Sequence, residues 1–174
     1  QEVLKKVAGN DYDVLLLDIS MPGRSGLDIL KQLKSERPKL SVLVLSMYSE
    51  EQYALRALRA GAAGYMTKES APDELIEAIR KVSTGRKYIS PAVAEKLALS
   101  IESGDERPPQ ETLSDREFQV MCMIASGKTV KAIADELALS IKTVSTYRAR
   151  ILEKMKMKNN AEITHYAIQN RLVA

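Results

Sequence analysis

Val14-Leu15-Leu16-Leu17-Asp18, followed by Ile19-Ser20-Met21-Pro22-Gly23 and Gly26, decides how the front of this chain folds. Four apolar residues ending on one carboxylate predict a buried strand with Asp18 at its C-terminal end. The Pro-Gly sequence after it predicts a turn. In open α/β sheets that edge is where ligands bind. Taken alone, an aspartate in this place is more often a cap or turn residue than a reactive group.

Working outward, the pattern repeats. A helix is predicted over 27–35, with Leu27, Leu30 and Leu33 on one side, and Ser41–Ser46 (Ser-Val-Leu-Val-Leu-Ser) predicts a second buried strand. A helix over 50–60 stops at Gly61, and Gly64–Thr67 predicts a third strand. A long helix over 72–84 has Leu75, Ile76, Ile79 and Val82 inward, Pro72 in its first turn and Gly85 past its end. Strands alternating with helices predict an α/β fold with a parallel sheet.

Residues 100–112 are polar, include Gly104 and Pro108-Pro109 and show no period; they are the expected interdomain linker. Only helices are predicted beyond them. Ser114 with Glu117 three residues on is a capping box for a helix running to Ala125 before Gly127. Val130, Ile133, Ala134 and Leu137 give one face of a second helix. Val144, Ile151, Leu152 and Met155 give that of a third, starting near Ser140, and 161–170 is a fourth.

Charge separates the two parts. Residues 1–109 hold 16 Lys+Arg against 16 Asp+Glu, whereas 110–174 hold 10 against 7, which is the whole net +3. Within 142–158, Lys142, Arg148, Arg150, Lys154, Lys156 and Lys158 face one acid, Glu153. A neutral front with a basic stripe behind it fits a regulatory domain joined to an anion-binding one. The stripe lacks the aromatic face of a membrane-surface helix, and no apolar stretch nears the roughly 18 residues of a membrane span. The only cysteine, Cys122, rules out an internal disulfide and makes a reducing cytoplasm the expected compartment. Cys122 reads as a buried small hydrophobe and the only histidine, His165, as a packed or surface residue.

These residues resemble a two-component response regulator of the NarL/FixJ class: a flavodoxin-like receiver joined to an all-α LuxR-type helix-turn-helix domain. The receiver likeness rests on Leu-Leu-Leu-Asp18-Ile-Ser-Met-Pro22-Gly with Gly26, on Val-Leu-Val-Leu-Ser46, and on Ala-Gly61-Ala-Ala-Gly64-Tyr65-Met-Thr-Lys68. The output likeness rests on Leu113-Ser114-Asp115-Arg116-Glu117, Ile124-Ala125-Ser-Gly127, Ile133-Ala134, Leu137, Ser140, Thr143-Val144 and Ile151. The domains implied are a receiver over 1–99, a linker over 100–112 and the helix-turn-helix over 113–174. One departure stands out. Family receivers begin with a strand ending in an acidic pair that helps hold Mg²⁺, then a helix and a second strand. Here residues 1–10 resemble the tail of the second helix, so the receiver reads as N-terminally incomplete and the strand at Val14–Asp18 as unpaired on one edge.

The resemblance assigns Asp18 as phosphoryl acceptor, with Mg²⁺ held by Asp18 and the Ser20 backbone carbonyl. It gives Lys68 the role of counter-charge, Ser46 a hydroxyl contact to the phosphoryl group and Tyr65 that of a rotating aromatic reporter. Without the acidic pair the metal site is weakened, and little labelling of this polypeptide is expected unless that segment is supplied. For the output domain, Ser145, Thr146 and Ala149 match base-facing positions, and Lys142, Thr143, Arg148 and Arg150 suit phosphate or mixed contacts. The family often carries Lys at the place of Ser145 and His at that of Tyr147, so operator preference does not transfer. The implied partners are double-stranded DNA, a sensor histidine kinase and a second copy of the chain. Two rivals remain from the sequence: a phosphatase-like enzyme turning over phosphate at Asp18, which would need a second acid and a substrate pocket, and a truncated, phosphorylation-independent DNA-binding protein whose receiver part is only an interaction module.

Overall fold

The computed structural model describes residues 2–20, 25–102 and 108–173; the turn at Met21-Pro22-Gly23 and the middle of the expected linker lie outside them. The chain divides into two compact units, Gln1–Ser100 and Ile101–Ala174. The first opens with helix α1 (Glu2–Gly9) and then alternates β1 (Val14–Asp18), α2 (Gly26–Glu36), β2 (Ser41–Ser46), α3 (Glu50–Arg59), β3 (Gly64–Thr67) and α4 (Pro72–Ser83). Among the described residues the strands form one parallel sheet in the order β1-β2-β3, with Asp18 opposite Leu45 and Ser46 opposite Thr67. Val42, Leu43 and Val44 are fully buried, so both faces of the central strand β2 are covered. That is the reason for its unbroken apolar run. The residues following the strands are thereby gathered at one edge.

On one face Leu43 and Met66 pack with Ala63 against Ala78 and Val82 of α4. Pro72 opens α4, acids lie in its first turn and Arg80 and Lys81 in its last, all agreeing with the helix dipole. The inward placement of Ile76 needs correction, because its side chain is 48 % exposed. Ile76 and Ala78 are separated by about 200° around a helix of 3.6 residues per turn, so the helix that buries Ala78 turns Ile76 out. A further helix, α5 (Pro91–Glu102), was not foreseen, and it extends into the tract expected as linker. Pro109–Thr112, in the same tract, form a 3₁₀ turn.

The second unit contains α6 (Asp115–Ala125), α7 (Val130–Leu137), α8 (Ile141–Lys154) and α9 (Asn160–Gln169). The Ser114 hydroxyl accepts the Glu117 N–H, and the Glu117 carboxylate accepts the Ser114 N–H, completing the capping box. Glu117 also receives the Lys154 ammonium at 2.6 Å, which ties α6 to the end of α8. Phe118, Met121, Ile133, Val144, Ile151 and Ile163 form the interior. Cys122 is buried there as a free thiol.

Candidate functional site

Three strand ends meet at Asp18. Asp18 ends β1, Ser46 ends β2, and Lys68 follows β3. The Lys68 ammonium lies 2.5 Å from Asp18 Oδ2, and the Ser20 backbone N–H donates to Asp18 Oδ1 at 2.7 Å. Burial pushes the Asp18 carboxyl up, but the Lys68 hydrogen bond, the Ser20 N–H and the Lys68 charge outweigh it and hold the group below its ordinary value of 3.8. Asp18 is therefore an ionised, partly exposed carboxylate beside a fixed cation. That arrangement places a carboxylate at the rim with a counter-charge beside it for any anion built there.

The site continues inward through hydroxyls. Ser20 Oγ and Ser46 Oγ are 3.1 Å apart, and Ser46 Oγ accepts the Tyr48 N–H at 3.1 Å. The Tyr65 phenol donates to the Tyr48 carbonyl at 2.8 Å. Tyr65 is buried, which pushes its phenol far up despite an opposing hydrogen bond from Ser46. Asp18, Ser20, Ser46, Tyr48 and Tyr65 thus form one chain of polar contacts. Ser20 enters through its hydroxyl as well as its backbone, which the sequence did not reveal.

As a cation cradle the site is poorer. Among the described residues no group of three or more acidic, histidine or cysteine side chains converges, and both Asp18 oxygens are already engaged. One engaged carboxylate and the Ser20 carbonyl do not by themselves fit a Mg²⁺ ion, which prefers an octahedral shell of oxygens.

In the second unit, α7, the turn Ala138-Leu139-Ser140 and α8 make a helix-turn-helix. Thr129 and Ser140 cap the two helices through their hydroxyls. Ala138 turns the chain at φ 52°, in the left-handed region. On α8, Lys142, Ser145, Thr146, Ala149 and Arg150 are exposed together, while Val144 and Ile151, with Met155 just past the helix end, face the interior. Two expected contact residues are partly occupied elsewhere. Thr143 shares a 2.7 Å hydroxyl contact with Ser140, and Arg148 Nε donates to Asn160 Oδ1 of α9 at 2.6 Å. Ile141, absent from the sequence-based set, is 54 % exposed at the start of the same helix. Its signal was an apolar residue immediately after the cap.

Comparison with known proteins assigns both parts of the chain to families. Residues 1–80 match the response regulator receiver domain family, and residues 111–167 match the bacterial regulatory proteins of the luxR family. The response regulator GacA of Pseudomonas aeruginosa is 41 % identical over 99 % of this chain and 81 % of that protein. The response regulator UvrY of Escherichia coli K12 is 38 % identical over 99 % of this chain and 79 % of that protein. Among solved structures, RcsB of Salmonella enterica serovar Typhimurium, bound to the promoter rprA in the presence of the phosphomimetic BeF3-, superposes with a TM-score of 0.55 at 26 % identity, over 94 % of this chain and 79 % of that one. The chain belongs to the two-component response regulators that join a receiver domain to a LuxR-type helix-turn-helix domain.

Proposed function

We propose that Asp18 is the phosphoryl acceptor of this regulator and that its modification controls DNA binding through α8. The observation that carries this reading is the meeting of Asp18, Lys68 and Ser46 from three separate strand ends, with Lys68 2.5 Å from the acceptor oxygen. A phosphoryl group on Asp18 adds oxygens that Lys68 and the Ser46 hydroxyl are placed to bind. Drawing Ser46 in to the phosphoryl group loosens its hold on Ser20 and Tyr48, and through Tyr48 on the Tyr65 phenol. The receiver family uses Mg²⁺ for phosphorylation, and the described residues do not hold the ion alone.

The domains are proposed as receiver 1–99, linker 100–112 and DNA-binding domain 113–174. In the latter, Lys142, Ser145, Thr146, Ala149 and Arg150 form the DNA face, with Thr143 and Arg148 at its flank. The partners follow from the family: duplex DNA, a sensor histidine kinase and a second copy of the chain, as RcsB is seen as two dimers on two DNAs. The reading is of a cytoplasmic regulator, not an enzyme. Among the described residues no helix is long and apolar enough to cross a membrane.

The test is labelling by a small phosphodonor with Mg²⁺, on this chain extended upstream by a strand bearing an acidic pair. A hydroxylamine-labile phosphate is expected, abolished by Asp18→Asn and retained by Asp28→Asn. Full labelling of Asp18→Asn overturns the assignment.

A further inference from the structure

We infer that Ile141 reads the C5-methyl group of a thymine, and that the base-facing ridge of α8 selects its site through thymine methyls instead of polar base edges. This rests on α8 being the DNA-reading helix, and deepens that reading. Residues four apart on a helix form a ridge. Ile141, Ser145 and Ala149 make one such ridge, and all three are exposed. Lys142, Thr146 and Arg150 make the next, also exposed. The first is uncharged and short, and the second carries the cations.

Bidentate recognition of guanine needs Arg or Lys, and that of adenine needs Asn or Gln. The ridge of Ile141, Ser145 and Ala149 has none of these. What it presents is a branched aliphatic, a methyl and one hydroxyl, and methyl is the apolar group a thymine displays in the major groove. Thr146 adds little polar reading, since its hydroxyl hydrogen is spent on the Lys142 carbonyl at 2.9 Å. The cationic ridge beside it supplies phosphate contacts, which position the helix without specifying sequence.

An isolated exposed isoleucine is ordinary on a protein surface. Ile141 differs by its place: it is 54 % exposed on the first residue of α8, after the Ser140 cap. N-terminal residues of the second helix of a helix-turn-helix meet base edges. Nothing polar competes at this position, and burying its side chain against a methyl offsets its exposure.

The experiment uses the whole chain. Preferred duplexes are selected from a random pool, and each thymine in the recovered site is replaced singly by deoxyuridine, which lacks only the methyl. For the wild type, at least one replacement per half-site is expected to weaken binding about fourfold, the equivalent of one buried methyl-sized group. In Ile141→Ala that same replacement should cost almost nothing, while Lys142→Ala keeps the wild-type sensitivity and flattens the salt dependence. Equal deoxyuridine penalties in wild type and Ile141→Ala overturn the inference, as does a site with no methyl-sensitive thymine. Binding without any sequence preference would overturn it too, together with the assignment of α8 as reader. Circular dichroism of Ile141→Ala, at an exposed helical position, separates loss of contact from loss of fold.

Discussion

Asp18 carries a charge that its surroundings favour, and this has a sign in pH. Its carboxyl is held below 3.8 in the folded chain, so the stabilisation is present at neutral pH. It is lost as pH falls through the folded value, when the proton leaves Lys68 without its partner. Thermal unfolding of wild type and Asp18→Asn should therefore differ at neutral pH, with the gap starting to close only as pH falls below the ordinary carboxylate range of about 4 and vanishing below the folded value. Coincident curves for wild type and Asp18→Asn at neutral pH would reject the pairing. Gly26 is a second instance of a residue fixed by its neighbours. A Cβ there would lie 2.4 Å from Ile19 Cα, a backbone atom next to Ser20. Gly26→Ala should cost about 1–3 kcal/mol in denaturant titrations, the range for overpacking. Ala138 shows the reverse. Its φ of 52° burdens any side chain, and Ala138→Gly should raise stability by up to about 1 kcal/mol once glycine's extra chain entropy is subtracted.

Elements were legible where periodicity and punctuation agreed. The Ser114–Glu117 box marked the start of α6 to the residue, and the apolar runs marked β1, β2 and β3. Ser114→Ala should destabilise the second unit by about 0.5–2 kcal/mol, the range for lost N-caps, measured by urea unfolding. Glu117→Gln should add a comparable loss, because it weakens both the Ser114 N–H contact and the bond to Lys154. Other elements were not legible. In α5 the spacing of Val93, Leu97 and Ile101 is blurred by Leu99 and the alanines around the helix, and of its described apolar side chains Val93 alone is buried, so the pattern was weak. Ile76 misled because its type suits a core while its angle on α4 does not. At the strand ends, the gathering of Asp18, Ser46 and Lys68 was implied by the family resemblance, and their roles there remain the proposal. The Ser20 hydroxyl contact to Ser46 was not implied, since a contact across 26 residues is made by the fold and leaves no local trace.

At the scale of the molecule, the chain keeps two cores. Leu43 is fully buried at the centre of the sheet, while Phe118 and Ile163 hold the helical unit. Leu43→Ala should cost the first unit about 2–5 kcal/mol, as large-to-small core changes do. Amide exchange followed by mass spectrometry should show faster exchange in β1, β2 and β3, with α6 and α9 protected as before. Faster exchange in both units alike would mean a single cooperative core. The pairing of Lys68 with the unmodified Asp18 has a consequence for signalling. An ammonium already seated on a carboxylate is a standing counter-ion, at hand for the oxygens of an acyl phosphate formed on that carboxylate. On the proposed assignment of Asp18 as acceptor, the difference between resting and modified states falls to the neighbouring alcohol of Ser46, whose loyalties are divided among Ser20, the Tyr48 amide and whatever arrives at the rim.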